Sequence, residues 1–279
     1  MSKLKVGLII NPLAGLGGSV ALKGSDNVAE QALALGAVPM ANKRAGIALG
    51  ELLEHKDNIE IFTVNGDMGE SACLALGLAH QVIAHSHSDK TTAQDSRNAV
   101  TAMTQAKVDI ILFAGGDGTA RDICSMVEEQ TLVLGIPAGC KIHSGVYAVT
   151  PKAAGRVMAM MAQGQMLSVG DADVMDIDEE AFRKGNVKAK LYGEMQVPAE
   201  LRYIQATKSG GKESNELVLQ DIAEYVIGEM EAHQYYIMGS GSTVAFIMEE
   251  LGQDNTLLGV DVIKDHDLLQ SDITAMQLL

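Results

Sequence analysis

The sequence predicts an α/β protein, with an N-terminal doubly wound parallel sheet over residues 1–150 and a second, mixed α+β domain over residues 151–279. Three observations lead there. Through the first half, short apolar β-branched runs alternate with longer segments of helical spacing, the pattern of strands buried on both faces and joined by helices. Strands then empty into glycine turns, most clearly at Leu112-Phe113-Ala114-Gly115-Gly116-Asp117-Gly118-Thr119-Ala120-Arg121-Asp122. Past Pro151 the texture changes to a Met-rich helix, alternating acids and apolar residues, and a long amphipathic segment.

Taken in order, Lys5 to Ile10 reads as the first strand, entered directly from the N-terminus. Asp26 to Leu35 and Met40 to His55 read as helices, and Ile59 to Val64 returns as a strand. The unit then repeats, with Gly69 to Leu78 a short helix, Gln81 to Ala84 a strand, and Thr92 to Ala106 a helix opened by a Thr-x-x-Asp capping pattern. Asp109 to Phe113 is the next strand, Ala120 to Glu129 has helical spacing with Ile123, Met126 and Val127 on one face, and Leu132 to Ile136 is one strand more. Ligands in open α/β sheets sit beyond the carboxyl ends of the strands, and Asn11, Asp67, Asp117 and Lys141 all follow such ends. One crevice can collect all four.

The second half is less regular. Lys152 to Gln163 reads as a helix ending at Gly164, with Met158, Met160 and Met161 as core filler. Asp171 to Glu180 alternates acid and apolar residues as a half-exposed strand does; a metal cluster built from the same acids is the rarer outcome. Lys184 to Ala206 is strand-like, and Lys208 to Lys212 is a glycine loop with two positive charges, suited equally to covering phosphates or to the surface. Glu213 to Glu231 is amphipathic, with Leu217, Ile222, Tyr225, Val226 and Met230 near one face. Tyr235 to Met238 then runs as a strand into Gly239-Ser240-Gly241-Ser242-Thr243, ahead of a helix over Val244 to Leu251. That turn is either an anion site or a tight turn capped by Ser242.

The chemistry concentrates at Asp117. Gly115, Gly116 and Gly118 remove the side chains that would keep a ligand away, leaving backbone amides and a helix N-terminus to face an anion. A carboxylate among phosphate-cradling amides repels phosphate, unless it holds Mg²⁺ or takes a proton from an attacking hydroxyl. The bland alternative is an Asp that satisfies its own turn.

Composition narrows the partners. With 36 acidic against 21 basic residues the net charge is −15, which disfavours a nucleic-acid or anionic-membrane surface and leaves any anionic ligand to local groups. No apolar run reaches membrane-spanning length. Cys73, Cys124 and Cys140 have neither Cys-x-x-Cys nor Cys/His ligand spacing and read as buried thiols of a cytoplasmic protein. Lys23 lies between Leu22 and Gly24, which breaks the Walker pattern, and Gly15 to Val20 puts valine where a dinucleotide fingerprint needs Gly or Ala.

Gly115-Gly116-Asp117-Gly118-Thr119 resembles the GGDGT signature of NAD kinases, diacylglycerol and sphingosine kinases and, in variant form, phosphofructokinases. Four further pieces make the resemblance closest to bacterial ATP-NAD kinase-like proteins: Asn11 to Gly18, Thr91 to Asp95, Gly135 to Ser144, and Gly239 to Thr243. The resemblance implies phosphoryl transfer from ATP or polyphosphate, with Mg²⁺, to the 2′-hydroxyl of NAD. It implies Asp117 as the residue that orients or deprotonates the acceptor hydroxyl or holds Mg²⁺, and Gly115, Gly116, Gly118 and Thr119 as the phosphate cradle. Asn11, Gly15 and Gly17 become part of a nucleotide loop, Lys141 the neutralising charge, and Gly241, Ser242 and Thr243 a nucleotide contact from the second domain. The expected partners are small-molecule nucleotides, with no nucleic acid and no membrane, in a homo-oligomer. The Gly-Leu-Gly-Phe-type turn of NAD kinases is replaced by Lys141 to Ala148, within which His143 either donates to a phosphate or, the better bet, is a satisfied helix-start histidine. Relatives of this kind run longer, so a C-terminal end shortened at Leu279 is expected. A lipid-kinase-like enzyme and a non-catalytic NAD- or ATP-binding regulatory protein are the alternative functions.

Overall fold

The computed structural model describes residues 3–16, 20, 29–86, 91–139, 142–165, 167–177, 189–200, 203–204, 215–256 and 259–279. In chain order they form β1 (Leu4–Ile10), α1 (Ala29–Ala34), α2 (Ala41–Gly50), β2 (Ile59–Val64), α3 (Glu70–Leu76), β3 (His80–Ala84), α4 (Ala93–Ala106), β4 (Ile110–Gly115) and α5 (Asp117–Cys124). These are followed by β5 (Leu132–Pro137), α6 (Pro151–Ala162), β6 (Val169–Ile177), β7 (Ala189–Pro198) and α7 (Asn215–Gly228). The last elements are β8 (Tyr235–Met238), α8 (Ser242–Glu250), β9 (Asp261–Lys264), β10 (Asp267–Gln270) and α9 (Ala275–Leu278). Two compact units result: Met1–Gly15 with Pro39–Lys208, and Leu16–Val38 with Ser209–Leu279.

The first unit is built on a seven-stranded sheet in the order β3-β2-β1-β4-β5-β7-β6. Strands β1 to β5 are parallel, β7 joins β5 in parallel through Leu132 opposite Gln196, and β6 closes the edge antiparallel to β7. Alternation along each strand divides the core. Val6, Leu8, Ile10, Ile110, Leu112 and Ala114 face the small-residue sides of α2 and α6, while Ile9, Ile111, Phe113 and Val133 face α4 and α5. Both faces are covered, as parallel sheets require. Thr92 and Asp95 open α4 as a capping box, the Thr92 amide donating to the Asp95 carboxylate at 2.8 Å.

The expected boundary at residue 150 falls inside this unit. Pro151 occupies the first turn of α6, where a missing N–H costs nothing, and Thr150 caps that helix by accepting from the Ala153 amide at 3.0 Å. Its buried face, Ala153, Ala154, Val157 and Met158, completes the core over β1 and β5. The change of texture at Pro151 is therefore the start of a helix of the first unit. Hairpin β6–β7 likewise extends the first sheet, with Ala172 and Val174 buried and Asp171 exposed along the alternating run.

In the second unit β8, β9 and β10 form an antiparallel sheet in the order β10-β9-β8. Its core gathers Ala223 of α7, Met238 of β8, Ile247 and Met248 of α8 and Ile263 of β9. Ala223, Val226 and Ile227 of α7, with Met230 just past its end, pack on this core, whereas Ile222 and Tyr225 are exposed. Of the expected stripe Val226 and Met230 face the core and Ile222 and Tyr225 do not, while the Leu217 side chain lies outside the described residues.

Candidate active site

Strand order reverses at β1, because β2 and β3 lie on one side of it and β4 and β5 on the other. The carboxyl ends of β1 and β4 consequently flank a switch-point crevice, the place where such sheets take ligands. Asn11, the first residue past β1, donates its amide to the Ala114 carbonyl at 2.9 Å and its Nδ2 to the Thr119 hydroxyl at 3.0 Å. It also accepts from the Leu13 amide at 3.1 Å, so one side chain ties the ends of β1 and β4 to the first turn of α5.

Helix α5 begins at Asp117, three residues earlier than its apolar spacing suggested. Gly116 is extended at φ −117° and ψ −172° and caps the helix without a side chain. Its carbonyl accepts from the amides of Thr119 at 2.9 Å and Ala120 at 3.1 Å, which leaves Asp117 and Gly118 as the first-turn amides without an intrahelical acceptor. The expected cradle is corrected accordingly: Thr119 contributes its hydroxyl to Asn11, and its amide is already spent on the turn. Gly115 closes β4, its carbonyl accepting from the amides of Ala138 and Gly139.

Those two bonds bring the segment after β5 against the glycine turn. A Cβ on Gly116 would stand 3.2 Å from the Gly139 Cα, and one on Gly139 only 2.8 Å from the Gly116 Cα, so the backbones meet directly. Gly15, at φ +71°, packs on the Ala138 carbonyl where no side chain fits. From the other side, Arg44 of α2 directs its Nη1 toward the carbonyls of Pro137 at 3.4 Å and Gly139 at 3.5 Å, a cation placed beside the crevice of an acidic protein. Tyr147, wholly buried, donates its hydroxyl to the Gly116 carbonyl at 2.7 Å. Burial first, then the charges of Asp117 and Asp176, hold that phenol's pKa well above its ordinary value.

Asp117 is the centre of the arrangement. Its Oδ2 accepts from the His143 amide at 2.8 Å and meets His143 Nδ1 at 3.0 Å. Its Oδ1 accepts from the Ser144 amide at 3.1 Å and the Ser144 hydroxyl at 2.7 Å. Ser144 is fully buried, and its Oγ also accepts from the Met175 amide at 3.0 Å, which locks the loop to β6. A carboxylate offers roughly four acceptor positions, and here all are used. That does not fit Asp117 as a metal ligand, and the described residues contain no group of three or more His, Cys, Asp or Glu able to hold a metal ion.

The remaining expected positions fall elsewhere. Gly17 and Lys141 lie outside the described residues, as does the 208–212 loop. Gly241, Ser242 and Thr243 belong to the second unit. There Gly241, at φ +149°, is the residue that caps α8, and Ser242 is already inside the helix, which removes the Ser242 cap. Asp67 is exposed and takes part through its carbonyl, which accepts from Asn42 at 3.0 Å. Asp176 of the acidic run pairs with Arg121 at 2.8 Å. Arg44, Ser144 and Tyr147 went unrecognised in the sequence.

A family model for the ATP-NAD kinase N-terminal domain matches residues 6–166, more than half of the chain. The chain belongs to the NAD kinase family. The match takes in Asn11, the glycine turn, Arg44, Ala138, Gly139, His143, Ser144 and Tyr147, which are the parts described together at the switch point. Two solved structures, each described as "a putative diacylglycerol kinase from Bacillus anthracis str. Sterne", align at 16% identity and a TM-score of 0.32 over 64% of this chain. The chain spans under half of their length, 47% and 44%. No curated protein matches it significantly. No helix among the described residues is long and apolar enough to cross a membrane.

Proposed function

We propose that this NAD kinase family chain is a phosphotransferase that moves a phosphoryl group from ATP or polyphosphate to the 2′-hydroxyl of NAD, giving NADP. The observation that carries the reading is the placement of a buried, fully hydrogen-bonded Asp117 at the head of α5, between the carboxyl ends of β1 and β4. Phosphoryl transfer asks a protein chiefly for positioning and for electrostatic stabilisation of a charged transition state. The uncommitted amides of Asp117 and Gly118 supply donors at the head of α5. Arg44, together with Lys141, supplies positive charge that the net −15 of the chain otherwise withholds. Gly15 and Gly17 extend the nucleotide loop. Mg²⁺ bound to the donor would spread the donor's negative charge.

The test is incubation with NAD, Mg²⁺ and, in parallel arms, ATP and inorganic polyphosphate, with chromatographic detection of NADP beside Asp117→Ala. Wild-type protein forms NADP and the variant forms none. Equal product from both removes Asp117 from the reaction, and product from neither removes NAD as the acceptor.

A further inference from the structure

Resting on the phosphotransferase reading above, we propose that Ser144 is a positioning residue for the acceptor alcohol: its hydroxyl fills one acceptor position of Asp117 in the free protein and vacates it by turning its proton to the Met175 carbonyl. A carboxylate whose acceptor positions are all taken cannot also receive a substrate hydroxyl, so one of its four donors has to leave.

The hydrogen bonds single out which one. Of the four donors, only the Ser144 hydroxyl has a second acceptor among the described residues: its Oγ lies 2.7 Å from Asp117 Oδ1 and 2.8 Å from the Met175 carbonyl oxygen. A hydroxyl carries one proton, so it serves one of the two at a time. The oxygen itself is pinned, because the Met175 amide donates to it at 3.0 Å and the residue is fully buried. The exchange therefore needs only rotation about the Cβ–Oγ bond, and no atom heavier than hydrogen has to move.

Turned toward Asp117, the proton keeps a buried carboxylate satisfied while no substrate is bound. Turned toward Met175, it leaves Oδ1 with the Ser144 amide bond and one vacant acceptor position, enough for a single hydroxyl. Three N–H donors, the amide and Nδ1 of His143 and the Ser144 amide, keep the carboxylate oriented in both states. The Asp117 side chain is 5% exposed and Ser144 not at all, so an incoming alcohol meets the acid and not the serine. A bond to a charged acceptor is the stronger of the two, which favours the Asp117 state by about fivefold in the free protein. The alcohol reverses that preference by filling the position at Oδ1.

Kinetics of Ser144→Ala and a label on Met175 test this separately. In Ser144→Ala nothing has to be displaced from Oδ1, so the KM for NAD should be lower by about fivefold. A KM unchanged or raised, with kcat down by about tenfold or more, makes the hydroxyl a fixed brace of Asp117 and overturns the proposal. The second measurement needs neither turnover nor a variant. Met175-Asp176 is the only Met-Asp pair in the chain, so wild-type protein carrying ¹³C-carbonyl methionine and ¹⁵N-aspartate gives a single correlated carbonyl resonance in NMR, that of Met175. With Mg²⁺, a non-hydrolysable ATP analogue and NAD, that resonance should move downfield as the carbonyl gains a hydrogen bond, and the same addition to Ser144→Ala should not produce the move. A resonance that stays in place in wild-type protein that makes NADP overturns the proposal and leaves the reading above standing. A resonance that moves in protein that makes no NADP upholds the proposal and refutes the turnover of NAD; neither signal refutes both.

Discussion

Removing the Asp117 carboxylate should loosen the whole switch point, and the structure sets the size of the effect. Asp117→Ala leaves four donors without their acceptor: the amide and Nδ1 of His143 and the amide and hydroxyl of Ser144. The Ser144 hydroxyl can turn to the Met175 carbonyl, 2.8 Å away, and the partly exposed His143 groups can recover water. The Ser144 amide, in a fully buried residue, cannot. An orphaned buried donor costs about 1–3 kcal/mol, and some charge-assisted bonding is lost besides, so about 3 kcal/mol is expected. In a unit of this size that lowers Tm by roughly 6–12 °C. Asp117→Asn keeps one acceptor oxygen but sets an NH₂ against two donors, and should fall between wild type and Ala. Urea and thermal unfolding followed by circular dichroism measure both. An Asp117→Ala protein within about 1 kcal/mol of wild type, against the ~1–3 expected for even one orphaned donor, contradicts the hydrogen-bonding scheme.

Other consequences are smaller but independent. Tyr147→Phe deletes the 2.7 Å bond to the Gly116 carbonyl, which keeps its Thr119 and Ala120 donors, so a loss of about 1 kcal/mol is expected by urea unfolding. Because the folded Tyr147 pKa is raised by burial, the unfolded chain gives up that proton first; stability is full below about pH 10 and declines above it, and spectrophotometric titration should find one phenol that ionises only on unfolding. Burial, with the Glu70 charge second, pushes the Cys73 thiol up to about 12, so iodoacetamide at pH 8 should label Cys73 only in denaturant. Gly139→Ala drives a Cβ to 2.8 Å from the Gly116 Cα and should cost about 1–3 kcal/mol while weakening ATP binding in calorimetry.

What the sequence revealed was what is local. Apolar runs at Lys5 to Ile10, Ile59 to Val64 and Asp109 to Phe113 are legible because their apolar residues are buried on both faces, with Glu60 the one exposed position inside β2. The start of α5 was misjudged because Gly118 looked like more turn, although a glycine costs a helix only about 1 kcal/mol and Asp at the first turn suits the helix dipole. Strands β9 and β10 escaped notice, being four residues each with no apolar run; a buried Asp261 pins them by accepting from the amides of Thr256 and Asp272. At the site, the glycine turn and Asn11 were legible as motifs, while the Asp117 contact with His143 and Ser144 spans 26 and 27 residues and leaves no periodic trace. Arg44 was hidden in the same way, on a helix with no motif of its own, 93 residues from Pro137.

The measurement that tests the central claim most directly is hydrogen–deuterium exchange of the whole chain with and without ATP, Mg²⁺ and NAD. Slowed exchange concentrated in peptides covering residues 11–15, 114–122 and 137–147 is the expected result, since these carry the amides and bare backbone at the ends of β1, β4 and β5. Nucleotide that leaves those peptides unchanged, or that protects only distant ones, contradicts the placement of the phosphate site.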